Sequence, residues 1–136
     1  MSGRIDLVTL VVHDYDQAIA FFVDSLGFTL VEDSPSTTND GRPKRWVVVS
    51  PGDAGASLLL AEADGPAQET AVGAQTAGRV GFFLRVDDFD AMHARMLEHR
   101  VEIVDGPRDE AYGRVAVWVD VAGNRWDLIG PPPAAD

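Results

Sequence analysis

The chain has no cysteine, which excludes disulfides, thiolate catalysis and Cys-ligated zinc or iron–sulfur centres. No apolar run approaches the roughly 20 residues of a membrane span, and Met1-Ser-Gly-Arg-Ile5 has no signal-peptide core. A cytoplasmic location without a membrane partner is the expectation. Basic residues are few: 11 Lys and Arg against 22 Asp and Glu, a formal net charge of −11. Such a surface repels phosphate backbones, so no nucleic-acid partner is expected. The excess acid serves solubility, or steers a cationic ligand inward. Gly-x-Gly-x-x-Gly, a Walker loop, a Gly-x-Ser-x-Gly elbow and His-Glu-x-x-His are all missing.

What is present fits one globular domain of 136 residues, long enough to bury about two-thirds of its unfolded surface. Arg4–Val12 is strongly β-forming. Asp14 offers a helix N-cap with Gln17 three residues on, Ala18, Phe21, Phe22 and Leu26 follow at helical spacing, and Gly27 suits the helix end. Phe28–Glu32 reads as a strand and Ser34–Lys44 as a loop; Arg45–Ser50 and Ser57–Ala61 read as strands. Glu62–Arg79 has no apolar period and reads as a connector. The plan then restarts: a strand over Arg79–Val86, a helix capped by Asp88, a strand over Val101–Val104 and a loop over Asp105–Gly113. A hairpin over Arg114–Gly130 turns at Ala122-Gly-Asn124, and Pro131-Pro-Pro133 ends the pattern before a frayed tail.

The two halves superpose in sequence. Leu10, Val12, Asp14, Tyr15, Asp16 and Ala20 match Leu84, Val86, Asp88, Phe89, Asp90 and Ala94, all 74 positions on, and a one-residue gap at the helix C-terminus then aligns Leu30-Val31 with Ile103-Val104. This is an internal duplication of a strand–helix–three-strand unit. The expected fold is α+β: two βαβββ modules (about 4–61 and 79–130, joined by 62–78) forming an open, curved mixed sheet or half-barrel with helices outside.

With Leu7–Phe28 and Asp120-Val-Ala-Gly-Asn-Arg-Trp-Asp-Leu-Ile129 in this arrangement, the chain resembles the vicinal oxygen chelate superfamily of glyoxalases, bleomycin-resistance proteins and extradiol dioxygenases. The first stretch is similar to its strand–Asp–helix–Leu-Gly-Phe signature. The second is similar to its Asp-Pro-Asp-Gly-Asn turn, with Val121 and Ala122 in place of Pro-Asp. The resemblance implies a homodimer. It also places the four metal-ligand positions of metal-dependent members on Leu7, Leu59, Gly81 and Asp127, of which three offer no donor atom. A divalent ion needs several oxygen or nitrogen ligands, so neither a metal nor another cofactor is expected. His13, His93 and His99 form no ligand spacing and read as solvated or capping residues.

Strand alternation extends these positions along one face: Gly81 to Phe83 and Arg85, Asp127 to Arg125 and Ile129, Leu7 to Thr9. Gly81 is expected to leave room there. The face is largely apolar with a few polar points, the makeup of a small-molecule pocket. Asp127 is its candidate anchor and, if desolvated, its candidate general base. Alternatively Asp127 simply pairs with Arg125 or Arg85. Trp46 and Trp118, read as equivalent third-strand residues, are candidates for stacking on a planar ligand. Gln75 and Tyr112 are candidates for the pocket mouth. Two readings follow: a protein that binds a small organic molecule in a metal-free cavity, or a lyase, isomerase or dioxygenase acting on a carbonyl or aromatic substrate.

Overall fold

A computed structural model of the chain describes residues 1–132; the expected fraying of the tail beyond Pro132 lies outside the described residues. The chain divides into two compact units, Met1–Val72 and Gly73 onward. The first contains β1 (Leu7–Val12), α1 (Tyr15–Ile19, continuing as a π-helix over Ala20–Ser25), β2 (Thr29–Thr37), β3 (Pro43–Ser50), β4 (Ser57–Glu62) and α2 (Pro66–Ala71). The second contains β5 (Val80–Arg85), α3 (Phe89–Glu98), β6 (Glu102–Glu110), β7 (Gly113–Val119) and β8 (Arg125–Gly130). Each unit forms an open four-stranded mixed sheet. The orders are β1-β4-β3-β2 and β5-β8-β7-β6, the same topology twice. No helix among the described residues is long and apolar enough to cross a membrane.

Local chemistry explains the helix starts. Asp14 accepts from the Gln17 N–H at 2.8 Å and Asp88 from the Ala91 N–H at 3.0 Å, each satisfying a donor that the first helical turn leaves open. The first helix then carries one residue more than the second, and it absorbs the extra residue by widening: the Leu26 N–H donates to the Phe21 carbonyl, five residues back, at 3.2 Å. This π turn is the physical form of the one-residue gap between the repeats. Gly27, at φ +77°, closes the helix in the left-handed region.

In the first unit one sheet face carries Leu10, Val47, Val49, Leu58 and Leu60, all buried, and the helix contributes Ala18, Phe22 and Leu26 to the core. In the second, Leu84, Trp118, Trp126 and Leu128 are buried with Phe89 and Met96 of α3. Trp118 and Trp126 stack at 4.8 Å between ring centroids, and Phe82 stacks on Trp126 at 4.6 Å. These residues define the helix face of each sheet; Leu59 and Asp127 belong to the opposite faces.

Three expectations are corrected. The loop expected over Ser34–Lys44 shrinks to the turn between β2 and β3, closed by the Thr38 N–H to the Arg42 carbonyl at 2.8 Å. The loop expected over Asp105–Gly113 is mostly β6, which shifts register between Ile103 and Asp105 and again before Arg108. In both stretches proline and glycine suggested a break. Both strands lie at sheet edges, where a residue without an N–H is tolerated and bulges absorb irregularity. The connector, finally, contains α2. Pro66 opens it after Gly65 at φ +91°, and none of its residues is buried. A helix without a core-facing stripe leaves no apolar period to read.

Candidate functional site

The register decides which side chains share a face. Asp127 of β8 lies between Phe83 of β5 and Val117 of β7, and Ile129 lies between Arg85 and Val115. Asp105 and Arg108 of β6 pair with Val117 and Val115 and so join the same face. Asp127 therefore sits in mid-sheet with apolar neighbours on either side and one charged edge strand beyond. Its Oδ1 is buried without a hydrogen-bond partner. Burial pushes its carboxyl above the ordinary value; the Arg108 guanidinium pulls it down and Asp105 pushes it up. Arg108 is itself held by Glu110 at 2.9 Å and by Asp105.

Arg85 and Arg125 are exposed and neither forms an ion pair with Asp127. The pairing alternative is not what the geometry provides. Phe83, on the Asp127 face, is 65% exposed. In the first unit Thr9 pairs with Leu59, and Trp46 shares the face of Leu59 and Val48 at 37% exposure. Tyr112 is exposed in the β6–β7 turn and Gln75 is exposed in the turns before β5. Trp118 is a correction. It pairs with Trp126, faces α3 and is 0% exposed, so it fills the core and offers nothing to a ligand. Val117 opposite Asp127 matches Val48 opposite Leu59; the strand equivalent of Trp46 is therefore Val115, and Trp118, three residues on, points to the opposite face.

Gly81 is a second correction. It is the extra residue of a bulge between Val80 and Phe82. A Cβ there would meet Thr76 Cγ2 at 2.5 Å. The missing side chain leaves no room for a ligand; the Thr76 methyl occupies that space. The Thr76 hydroxyl is tied to the Arg79 carbonyl at 2.7 Å, which holds the threonine in place.

Asp120, by contrast, is committed to structure. Its Oδ1 accepts from the N–H groups of Ala122, Gly123 and Asn124 at 2.9–3.0 Å, and its Oδ2 from Asn124 Nδ2 at 3.3 Å and Trp126 Nε1 at 2.8 Å. The carboxylate is the organising group of the turn, in which Val121 and Ala122 make no side-chain hydrogen bond to it. His13 pairs with Glu69 at 3.0 Å and His93 stacks on Phe89.

Residues 4–128 match the sequence profile of the Glyoxalase/Bleomycin resistance protein/Dioxygenase superfamily. The chain belongs to that superfamily. It is 48% identical over 130 residues to an uncharacterized protein of Shewanella frigidimarina (strain NCIMB 400), covering 95% of this chain and 94% of the relative. Among solved structures it is similar to TnmS3, an antibiotic binding protein from Streptomyces sp. CB03234. That match has 34% identity and a TM-score of 0.74, covering 96% of this chain and 97% of TnmS3. It is also similar to UcmS2, at 28% identity, TM-score 0.78 and 95% and 98% coverage.

The metal of metal-dependent superfamily members does not fit these residues. Leu7 and Leu59 have hydrocarbon side chains, Gly81 has none and is backed by a methyl group, and Asp127 alone supplies oxygen. Among the described residues no group of three or more His, Asp or Glu side chains is gathered as a metal site requires. The residues missed in the sequence are Asp105 and Arg108, hidden because Gly106-Pro107 made an edge strand look like a loop. Strand parity carried through that dipeptide would have found Arg108 only with the two register shifts known.

Proposed function

We propose that this superfamily member binds a small organic molecule, with Asp127 as the polar anchor between the apolar Phe83 and Val117. One observation carries the reading: a carboxylate oxygen enclosed without a donor, between Phe83 and Val117. An unmet buried acceptor costs about 1–3 kcal/mol, a cost that a ligand N–H or O–H recovers on binding. TnmS3, described as an antibiotic binding protein and 34% identical, supports a binding role. Arg85, Arg125 and Phe83 are proposed to shape the site, with Gln75 and Tyr112 at its mouth; Thr9 is proposed as a ligand contact on the sheet of the first unit. The donor set favours a metal-free site. A thermal-shift screen of small aromatic and carbonyl compounds tests the proposal. A hit stabilises the parent, and Asp127→Asn together with Arg85→Ala abolishes the shift; an unchanged shift rejects the assignment.

The raised pKa of Asp127 favours one second reading, a lyase or isomerase in which this carboxylate removes a proton from a carbonyl substrate. Turnover would then rise with pH through an apparent pKa above the ordinary carboxylate value and vanish in Asp127→Asn. The chain is proposed to act as a single domain, as a cytoplasmic homodimer, and without a nucleic-acid partner, as its net charge of −11 favours.

A further inference from the structure

We infer that a cavity in the first unit is a subsite for a planar aromatic molecule carrying an acidic group, with Lys44 holding the acid and Trp46 the ring. The inference rests on the small-molecule reading above but on different residues. The cavity, about 570 Å³, lies where β3 and β4 meet the turn after β2 and the start of α2, within the size range of sites for drug-sized ligands. Leu59 and Ala61 give it apolar lining. Lys44 and Trp46 are two residues apart on β3 and pair with Ser36 and Ser34, so they lie side by side on one sheet face. The indole, 37% exposed, is open to stacking.

The charges in the lining decide the ligand class. Arg42 grips Asp64 with two hydrogen bonds of 2.7 and 3.0 Å and holds Asp40 at 3.0 Å. The Arg42 hydrogen bonds hold the Asp64 carboxyl below its ordinary range, and the Thr38 hydroxyl, followed by Arg42, does the same for Asp40. Arg45 is turned to Asp33 and Asp16, at 2.7 and 2.9 Å. Glu62 accepts the Tyr15 N–H at the start of α1. Among the described charged residues lining the cavity, Lys44 is the one whose side chain has neither a hydrogen bond nor an ion pair, and it is the chain's one lysine. A cationic ligand would find each carboxylate occupied. A carboxylate or phenolate finds a free ammonium beside an indole face.

Calorimetric titration of the full chain with 2-naphthoate, and with its neutral isostere 2-naphthamide, tests this. Saturable naphthoate binding at least tenfold tighter than that of the amide is expected. Lys44→Met should reduce naphthoate affinity to that of the amide, Lys44→Arg should retain most of the preference, and Trp46→Leu should weaken both compounds. Bound naphthoate should also slow acylation of Lys44 by an activated ester, read by mass spectrometry. Asp127→Asn should leave naphthoate affinity within twofold, which separates this subsite from the Asp127 anchor. Equal affinity for acid and amide, no saturation by either at millimolar concentration, or full naphthoate affinity in a folded Lys44→Met overturns the inference.

Discussion

Two aspartates seven residues apart meet opposite demands. Asp120 has both carboxylate oxygens engaged by donors of its own turn and by the Trp126 indole of β8, whereas the buried oxygen of Asp127 has none. Asp120→Ala would strand those donors, the Trp126 indole N–H among them, and should destabilise the protein by about 3 kcal/mol, measured by urea unfolding. Asp127→Asn should act the other way. The carboxyl of Asp127 has a higher pKa folded than unfolded, so over that interval the native state holds a proton that the unfolded chain has released. Stability is therefore lost as pH rises through it. The asparagine variant should gain on the parent above that interval, by no more than about 0.5 kcal/mol, and match it below the ordinary carboxylate range. Thermal unfolding across the acid-to-neutral range reads the difference.

At the scale of elements, close approach and exposure set the sensitive points. A Cβ on Gly130 would meet the Phe89 Cβ at 2.5 Å, so β8 and α3 can pack as they do only because that strand residue lacks a side chain. Gly130→Ala should cost about 1–3 kcal/mol, measured in denaturant, with a slope close to the parent's if only packing is disturbed. The helix α2 is at the other extreme. It has no buried residue and is tied down by the His13–Glu69 pair and by Gln68, which accepts the Asp64 N–H at 2.9 Å. Its amides should exchange with solvent before those of α1 and α3, and His13→Ala should quicken that exchange while shifting global stability by less than about 0.5 kcal/mol. Hydrogen exchange by mass spectrometry checks both. The edge strands β2 and β6 show why proline misleads: Pro35 and Pro107 lie inside them, and an edge has one side from which no N–H is asked.

For the molecule as a whole, binding and stability are linked. A ligand at 100 times its dissociation constant should add about 2.7 kcal/mol to unfolding, and calorimetric Tm against ligand concentration tests that relation. Much of the architecture was legible in the amino-acid order alone. The match of Leu10–Ala20 to Leu84–Ala94, the caps at Asp14 and Asp88 and the turn before Arg125 announced a duplicated βαβββ unit, because caps, turns and alternation are local chemistry repeated at a fixed spacing. The absence of donor atoms at Leu7, Leu59 and Gly81 was equally plain, since a side chain's chemistry does not depend on where it folds. Only the tertiary structure decided which face each residue meets. It turned Trp118 into the core, filled the space at Gly81 with Thr76, and brought Arg108 onto the Asp127 face. It also left Lys44 as the uncommitted charge in its cavity. Each of those outcomes hangs on a one-residue shift of register or on a neighbour distant in sequence, and a bulge inverts the faces of a strand without changing its composition.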